Sequence, residues 1–274
     1  MTTTTVRPAS PPVVTDPSIT LRVRRASEDT NTVLWRDMIR TMRQPDMLAF
    51  AVVMGVFFLV LFNYVFGGAI GAVAGIDYLQ YLLPGVLVIS ALQGAQQTSM
   101  GLASDFSEGV NERFRSLPMS QSAVISGRTI ADAVRNIAGL VLVALVGILM
   151  GFRFASFGGA VAAIALATGI GYGFSWMGAA IAAKVRQPDM VGMLSMFWLF
   201  PLMLASTAFA PVQSMPGWLQ PFVTYQPISA ASDAVRGLAN GVPTGDAIAL
   251  TLIWIAVLLA IFVPVSVYLY KKVD

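Results

Sequence analysis

The charged side chains of this chain that could act on a partner are concentrated in one short segment, residues 108–120, with the sequence EGVNERFRSLPMS. This segment separates two long uncharged stretches in a chain that is 56% hydrophobic and only 11% charged. Charge inside a bilayer is costly, so a segment of this kind lies in water or against a partner. The chain has no cysteine and no histidine, which excludes disulfides, thiolate metal sites and the commonest general base.

The spacing within this segment predicts a short helix that carries a contact surface. Glu108, Glu112 and Arg115 recur at i, i+4 and i+7 on one helix face, and Phe114 supplies an apolar contact. Pro118 then ends the helix. A rigid helix lying across the ends of two membrane spans can transmit the movement of a soluble partner into those spans.

The surrounding elements are apolar enough to cross a membrane. The mean hydropathy is +0.73, and several uncharged runs reach the roughly 20 residues that a helix needs to cross ~30 Å of hydrocarbon. The sequence therefore predicts an all-α polytopic membrane protein with six transmembrane helices. The predicted spans are residues 47–66, 81–104, 136–152, 157–183, 190–210 and 247–270.

The positions of the basic residues predict the orientation of these spans. With six spans and both termini in the cytoplasm, 15 of the 17 Lys and Arg residues fall on the cytoplasmic side. Only Arg153 and Arg236 fall outside. This bias follows the positive-inside rule, so both termini and residues 108–120 are expected to be cytoplasmic.

Residues 211–232 are uncharged and apolar, yet they are not predicted to form a seventh span. Prolines recur every five or six residues, which would break a spanning helix repeatedly. An extra crossing would also place Lys271 and Lys272 outside. A re-entrant or interfacial excursion into the outer leaflet before the last span fits better, and its marker residues are Pro216, Trp218, Pro221 and Phe222.

Two segments precede the first span. Residues 1–26 are rich in Thr, Pro and Ser and predict a disordered cytoplasmic tail. In residues 27–46, Trp35, Met38, Ile39 and Met42 share a helix face away from three arginines, which predicts an amphipathic interfacial helix. Residues 47–274 then form the transmembrane domain.

Polar side chains within the spans are few, and none predicts catalysis. Gln93, Gln96 and Gln97 share one face of the second span, where they either pack against another helix or line a cavity. Phe197 and Trp198 of the fifth span are further candidates for a substrate path or a helix interface. Gly169 and Gly173 predict a close helix contact.

Several functional classes are disfavoured on the same grounds. The chain has no phosphate-binding loop, so it does not hydrolyse ATP in the usual way. The spans carry no charged residue near their midplanes to serve as an ion relay, which disfavours an ion-coupled carrier. No set of polar groups suits a membrane-embedded enzyme, no metal site is predicted, and a net charge of +3 is too small to indicate nucleic acid.

Two stretches resemble the ABC-2-type permeases of ABC transporters, in particular the daunorubicin-resistance branch. Residues 108–135, EGVNERFRSLPMSQSAVISGRTIADAVR, resemble the cytoplasmic segment of that family. Residues 200–241, FPLMLASTAFAPVQSMPGWLQPFVTYQPISAASDAVRGLANG, resemble its region after the fifth span, including the prolines, the tryptophan and an Asp-x-x-Arg pair. The resemblance covers all but the first ~30 residues, and one departure is Gln121, where relatives often have a basic residue.

The resemblance implies a non-catalytic membrane subunit in the bacterial cell membrane that forms a homodimer or a heterodimer with a similar permease. It implies a separate nucleotide-binding ATPase that uses ATP and Mg, with no cofactor bound by this chain. The expected activity is export of amphipathic drugs, lipids or polyketide-like products; an exporter of polysaccharide or glycolipid shares the architecture and stays open. The resemblance implies that residues 211–232 form an outer re-entrant hairpin before the last span. It also assigns a coupling segment at residues 105–122, in which the contacts to the ATPase come from Glu108, Gly109, Glu112, Arg113, Phe114, Arg115, Leu117 and Pro118.

Overall fold

A computed structural model describes residues 45–74, 77–107 and 121–271, and within these ranges the regular elements are all helices. The predicted all-α fold is thus confirmed for this part of the chain. The predicted tail, residues 27–44 and residues 108–120 lie outside it. The helices are α1 (Pro45–Ala74), α2 (Tyr78–Ser107), α3 (Gln121–Leu149), α4 (Phe157–Val185), α5 (Pro188–Leu204), a 3-10 turn (Val212–Ser214), α6 (Gln220–Tyr225), α7 (Pro227–Asn240) and α8 (Gly245–Lys271).

Each predicted span lies on one of these helices. By length and composition, four helical stretches in the described residues can cross a membrane: Tyr78–Ser107, Ile130–Leu149, Phe157–Val185 and Gly245–Leu269. Val52–Gly68 of α1 and Pro188–Leu204 of α5 are apolar but shorter. The described chain is therefore a bundle of several apolar helices, as in a multi-pass membrane protein.

The fifth predicted span, residues 190–210, is longer than the helix that forms there. α5 ends at Leu204, and contacts with polar side chains replace the helical hydrogen-bond pattern in the residues that follow. The Ser206 hydroxyl accepts from the N–H of Ala208 at 3.3 Å. The N–H of Thr207 donates to the Ser229 hydroxyl at 3.1 Å.

Helix α2 is the central helix of the bundle. It packs against α1, α3, α4, α5 and α7, and 72% of its apolar stretch is buried, compared with 11% for α8. Helix α4 is the second hub, packing against α2, α3, α5, α7 and α8. The α2–α4 contact is the most extensive one in the described bundle.

Small residues allow α2 and α4 to approach closely. A Cβ atom at Gly171 would lie 2.8 Å from the carbonyl oxygen of Ala91. A Cβ atom at Gly178 would overlap the hydroxyl of Ser99. With no hydrophobic effect between helices in lipid, such close packing is a main source of association.

The opposite face of α4 uses the two glycines that the sequence singles out. A Cβ atom at Gly169 would lie 3.2 Å from Ile255, and one at Gly173 would lie 3.2 Å from Leu258. Both contacts are with α8. The predicted close helix contact at Gly169 and Gly173 is therefore confirmed, and α4 is held tightly on two faces.

The ends of the helices lie in two groups, one at each end of the bundle. At what we call the Tyr78 end, the Tyr78 hydroxyl donates to the carbonyl of Phe209 at 3.0 Å, and the N–H of Ala155 donates to the carbonyl of Ala239 at 2.9 Å. At the opposite end, which we call the Ser107 end, α2 ends and the chain passes from α4 to α5. The two cations that the charge pattern places outside belong to the Tyr78 end: Arg236 contacts Tyr81, and Arg153 lies next to this turn of the chain.

We expect Gly171→Val to destabilise the bundle, since the new side chain would collide with the backbone of α2. Overpacking of this kind typically costs about 1–3 kcal/mol. The matched control is Gly158→Val in the same helix, where nothing lies within 4 Å of the added Cβ. Thermal unfolding in detergent should show a lower Tm for Gly171→Val alone; equal effects of the two changes would contradict the tight contact.

Candidate functional site

The first candidate site is an open cleft between α1, α2 and α5, which we call the glutamine cleft. Its volume is about 320 Å³. Among the described residues that line it, the three glutamines singled out in the sequence are the only polar ones and none is charged. The cleft is lined by Met54, Phe58, Gln93, Gln96, Gln97, Met196, Leu199, Phe200 and Met203.

The glutamines face this cleft because their spacing places them on one side of α2, opposite the face that packs on α4. Gln96 also bridges two helices, since its Nε2 donates to the carbonyl of Gly192 on α5 at 3.3 Å. Gln93 and Gln97 are half-buried and line the cleft. The structure therefore combines the two alternatives for this face, a helix contact at Gln96 and a cavity lining at all three.

A second, more apolar cleft lies on the other side of α5, between α4, α6 and α8, and we call it the aromatic cleft. Its volume is about 690 Å³. Phe174 and Trp198 stack with ring centroids 5.4 Å apart, and the indole N–H of Trp254 donates to the carbonyl of Tyr225 at 3.0 Å. The cleft is lined by Phe174, Met177, Ile181, Trp198, Leu202, Phe222, Tyr225, Gln226, Pro227, Trp254, Leu258 and Phe262.

Helix α5 is the wall that the two clefts share. Leu199 and Met203 face the glutamine cleft, whereas Trp198 and Leu202 face the aromatic cleft. Phe197 belongs to neither cleft and is 83% exposed on a third face of the helix. A change in the position of α5 would therefore alter both clefts together.

The segment predicted as a re-entrant hairpin consists of short helical pieces that prolines interrupt. Pro211 precedes the 3-10 turn, Pro221 lies in the first turn of α6, and Pro227 begins α7. Because proline fits the first turn of a helix but breaks its interior, each proline starts a new piece. The predicted boundary at residue 232 falls inside α7, which continues to Asn240.

The four marker residues of this segment are exposed. Trp218 is 80% exposed, and Pro216, Pro221 and Phe222 are also exposed. Phe222 contributes to the aromatic cleft. Among the four, Phe222 alone lies against one of the two clefts.

A half-buried polar cluster at the Tyr78 end joins α2, α7 and the chain after α5. Arg236 forms an ion pair with Asp233, and the Thr207 hydroxyl donates to the same carboxylate at 2.9 Å. Arg236 also donates to the carbonyl oxygens of Tyr81 at 3.1 Å and Thr207 at 2.8 Å. Its guanidinium lies 3.7 Å from the centre of the Tyr81 ring, a cation–π geometry. We call these four residues, Tyr81, Thr207, Asp233 and Arg236, the latch.

Helix α7 also replaces a hydrogen-bond donor that α2 lacks because of a proline. Pro84 lies inside α2 and has no N–H, so the carbonyl of Gln80 lacks its usual helical donor. The side-chain amide of Asn240 donates to that carbonyl at 3.2 Å. The C-terminal part of α7 thus satisfies the backbone group that Pro84 leaves open.

Gln226 supplies a hydrogen-bond donor to carbonyl groups at the end of α5. This residue is only 4% exposed, and its Nε2 donates to the carbonyls of Leu202 at 3.3 Å and Ala205 at 3.0 Å. Its Oε1 accepts from the N–H of Ile228 and so caps the start of α7 at 3.1 Å. One side chain therefore joins the end of α5 to the beginning of α7.

Sequence reasoning did not identify the latch or Gln226 as functional candidates. Two signals were present: Arg236 is one of the two cations outside the positive-inside pattern, and Asp233 and Arg236 form the Asp-x-x-Arg pair of the family resemblance. Neither signal indicates which residues Arg236 contacts, because Tyr81 and Thr207 are more than 25 residues away from it along the chain.

Charged residues also occur at the start of the apolar stretch of α3. Arg135 and Asp132 form the local salt bridge that the i, i+3 spacing favours, at 2.8 Å. One turn further on, the side-chain amide of Asn136 donates to the carbonyl of Ala91 at 3.0 Å. Gly94 makes this approach possible, since a Cβ there would lie 2.7 Å from the Asn136 amide.

Comparisons with known proteins show the class to which this bundle belongs. Residues 28–239 match the family model described as ABC-2 type transporter. The chain belongs to the ABC-2 type transporter family, and it is a transmembrane permease subunit of an ABC exporter. Membership of this family implies a partner ATPase subunit.

Several relatives extend this similarity over most of the chain. The daunorubicin resistance ABC transporter permease protein DrrB1 of Streptomyces coeruleorubidus is 36% identical over 244 residues, covering 89% of this chain and 86% of that protein. The probable doxorubicin resistance ABC transporter permease protein DrrC of Mycobacterium tuberculosis is 28% identical over 209 residues, or 75% of each chain. The putative transport permease ycf38 of Cyanophora paradoxa is 24% identical and covers 74% of this chain and 71% of its own.

We expect Gln226→Met to destabilise the protein, because it keeps the side-chain length and leaves buried carbonyls without donors. Each such group typically costs about 1–3 kcal/mol. Gln220→Met is the matched control, since Gln220 donates only to Met215 within the same short segment. Thermal unfolding in detergent measures both; an unchanged Tm for Gln226→Met would show that these bonds do not hold α5.

Proposed function

We propose that this chain is the non-catalytic membrane subunit of a bacterial exporter that moves uncharged or weakly charged amphipathic molecules of drug-like or polyketide-like character. Daunorubicin and doxorubicin resistance in the relatives' names supports this substrate class. ATP and Mg are used by the partner ATPase, and this chain binds no cofactor. The observation that carries the proposal is the glutamine cleft, which has polar amides and apolar walls but no charge.

The chemistry of the cleft fits a flat apolar molecule with hydrogen-bonding groups at one edge. Gln93 and Gln97 offer amide donors and acceptors, while Phe58 and Phe200 offer aromatic contacts. Methionine is flexible and polarizable, so the methionines of the wall can adapt to several shapes. A volume of about 320 Å³ lies within the range of small-molecule sites, roughly 300–1,000 Å³.

The alternative substrates fit less well. A polysaccharide or glycolipid exporter needs a wide continuous channel with many polar contacts along it, whereas the described bundle has two separate and mainly apolar clefts. An ion-coupled carrier needs a charge that can load and release an ion. The carboxylate of Asp132 is instead paired with Arg135.

The openness of the glutamine cleft favours a homodimer or a heterodimer with a similar permease. Half-buried amides that face lipid are costly, so a second subunit that covers the cleft would stabilise them. The neighbouring faces of α1 and α5 suit such a contact because they expose large apolar side chains, among them Phe57, Tyr64, Met193 and Phe197. Membrane lipid would cover the remaining apolar surface.

The proposed topology has six spans with both termini in the cytoplasm and the Tyr78 end facing outward. Two features support it: the basic residues cluster on the cytoplasmic side of this arrangement, and Trp218 is exposed next to the Tyr78 end, where an interfacial aromatic residue is expected. Residues 211–232 would then enter the outer leaflet as a re-entrant excursion. The Ser107 end and residues 105–122 would face the partner ATPase.

We expect the double substitution Glu112→Ala with Arg115→Ala to abolish ATP-driven export while membrane insertion is retained. These charges lie on one face of the proposed coupling helix, so their loss removes contacts to the ATPase. Co-purification of the ATPase, its hydrolysis rate and export from vesicles are measured together. Export at the wild-type rate would reject the coupling role of this face.

We expect Gln93→Leu with Gln97→Leu to weaken binding of daunorubicin without loss of the ATPase complex. Removal of hydrogen bonds to a bound molecule costs about 0.5–1.5 kcal/mol each, or roughly 2- to 10-fold in Kd per bond. Gln213→Leu is the control, since Gln213 is exposed in the 3-10 turn away from the cleft. Fluorescence titration in detergent or nanodiscs measures Kd; equal Kd values for all three proteins would exclude the cleft as the binding site.

A further inference from the structure

An aromatic stack lies next to the glutamine cleft, toward its Tyr78 end. Phe209 follows α5 and stacks on Phe62 of α1, with ring centroids 4.3 Å apart and ring planes 16° apart. Its ring also lies 6.3 Å from that of Phe58, which lines the cleft. Phe209 is only 7% exposed, so it fills the space between α1 and α2 at this end.

The segment that carries Phe209, residues 205–210, is not part of a helix. We call it the gate segment. A backbone outside regular structure must find partners for its polar groups elsewhere. Tyr78 donates to the carbonyl of Phe209 at 3.0 Å, and Tyr81 donates to the carbonyl of Thr207 at 2.8 Å. The position of the gate segment is therefore set by a few side chains of α2 and by the latch.

Arg236 is the central residue of this attachment. It donates to the same Thr207 carbonyl at 2.8 Å and to the carbonyl of Tyr81 at 3.1 Å, while Asp233 balances its charge. Gly85 lets α2 approach the gate segment, since a Cβ there would collide with the Ala208 backbone. Apart from the Asp233–Arg236 pair, which lies within α7, these contacts join separate elements. They can therefore break without unfolding any helix.

We propose that the gate segment is the outer gate of the glutamine cleft, with Phe209 as the plug and the Asp233–Arg236 pair as the lock that holds it shut. A molecule leaving the cleft toward the Tyr78 end has to displace Phe209 from Phe62. That displacement requires breaking the hydrogen bonds that Tyr81 and Arg236 donate to the Thr207 carbonyl and that Tyr78 donates to the Phe209 carbonyl. The inference rests on the proposed function, in which this cleft is part of the export path.

The first test uses the absence of cysteine in the chain, because the introduced cysteines are then its only thiols. In the complex with its ATPase, Phe62→Cys and Phe209→Cys are combined and linked with a short, reducible bis-thiol reagent. We expect loss of daunorubicin export on linking, recovery on reduction, and an unchanged daunorubicin Kd. Undiminished export by the fully linked protein would overturn the gate.

Each single-cysteine protein treated with the same reagent serves as the control for the linking experiment. Export lost only in the double variant supports the gate, and export lost equally in a treated single variant contradicts it. Failure of the proposed function gives a different result. In that case daunorubicin would not bind to the glutamine cleft or be exported even by the untreated complex.

The second test opens the lock without blocking the path. Arg236→Gln removes the charge that pairs with Asp233, and we expect faster passive leak of daunorubicin from vesicles that contain the complex without ATP. Arg236→Lys keeps the charge and should leak less than Arg236→Gln. Arg153→Gln is the matched control, since it removes an exposed cation from the same end of the bundle.

A structural role alone would lower the Tm without raising leak at temperatures where the protein is folded. Leak and Tm are therefore measured on the same preparations. Leak equal to that of the wild type in folded Arg236→Gln protein would overturn the role of the lock. Leak that rises equally in Arg153→Gln would show a general effect of surface charge and would overturn it as well.

Discussion

The close contact between α2 and α4 is the constraint on which the rest of the bundle depends. Lipid tails are as apolar as the helix surface, so moving that surface from lipid onto another helix gains little free energy. Helix association therefore relies on close packing and on polar contacts. Gly171 and Gly178 let α4 approach the α2 backbone at Ala91 and Ser99. With α2 held centrally, its remaining faces are free to carry the glutamines on one side and the contacts to α3 and α7 on the others.

The second constraint is that every backbone polar group in an apolar environment needs a partner. Pro84 removes a donor from α2, and the carbonyls of Leu202 and Ala205 at the end of α5 take side-chain donors. Asn240 and Gln226 supply donors for these groups. The same requirement explains why α7, a short helix of 14 residues, is almost as important to the Tyr78 end as the long apolar helices.

A permease that takes its energy from a partner needs clefts that bind and release the substrate. It also needs a way to move the helices that form the walls of these clefts. The described clefts contain no charge and share α5 as a wall. The polar contacts that fix α5 lie at its two ends, at Gly192 through Gln96 and at Leu202 and Ala205 through Gln226. A movement that alters a few of these bonds would therefore change both clefts, with no chemistry in this chain.

The sequence by itself determined the all-α class, the position of each apolar helix and the interruption of residues 211–232 by proline, because hydropathy and proline act locally along the chain. Charge placement and two family-like segments also led from the sequence alone to the ABC-2 class. The tertiary structure decided which helix is central, where α5 ends and that Gln93, Gln96 and Gln97 line a cleft. It alone assembled Tyr81, Thr207 and Arg236, since contacts between residues as far as 155 positions apart leave no periodic pattern in a sequence.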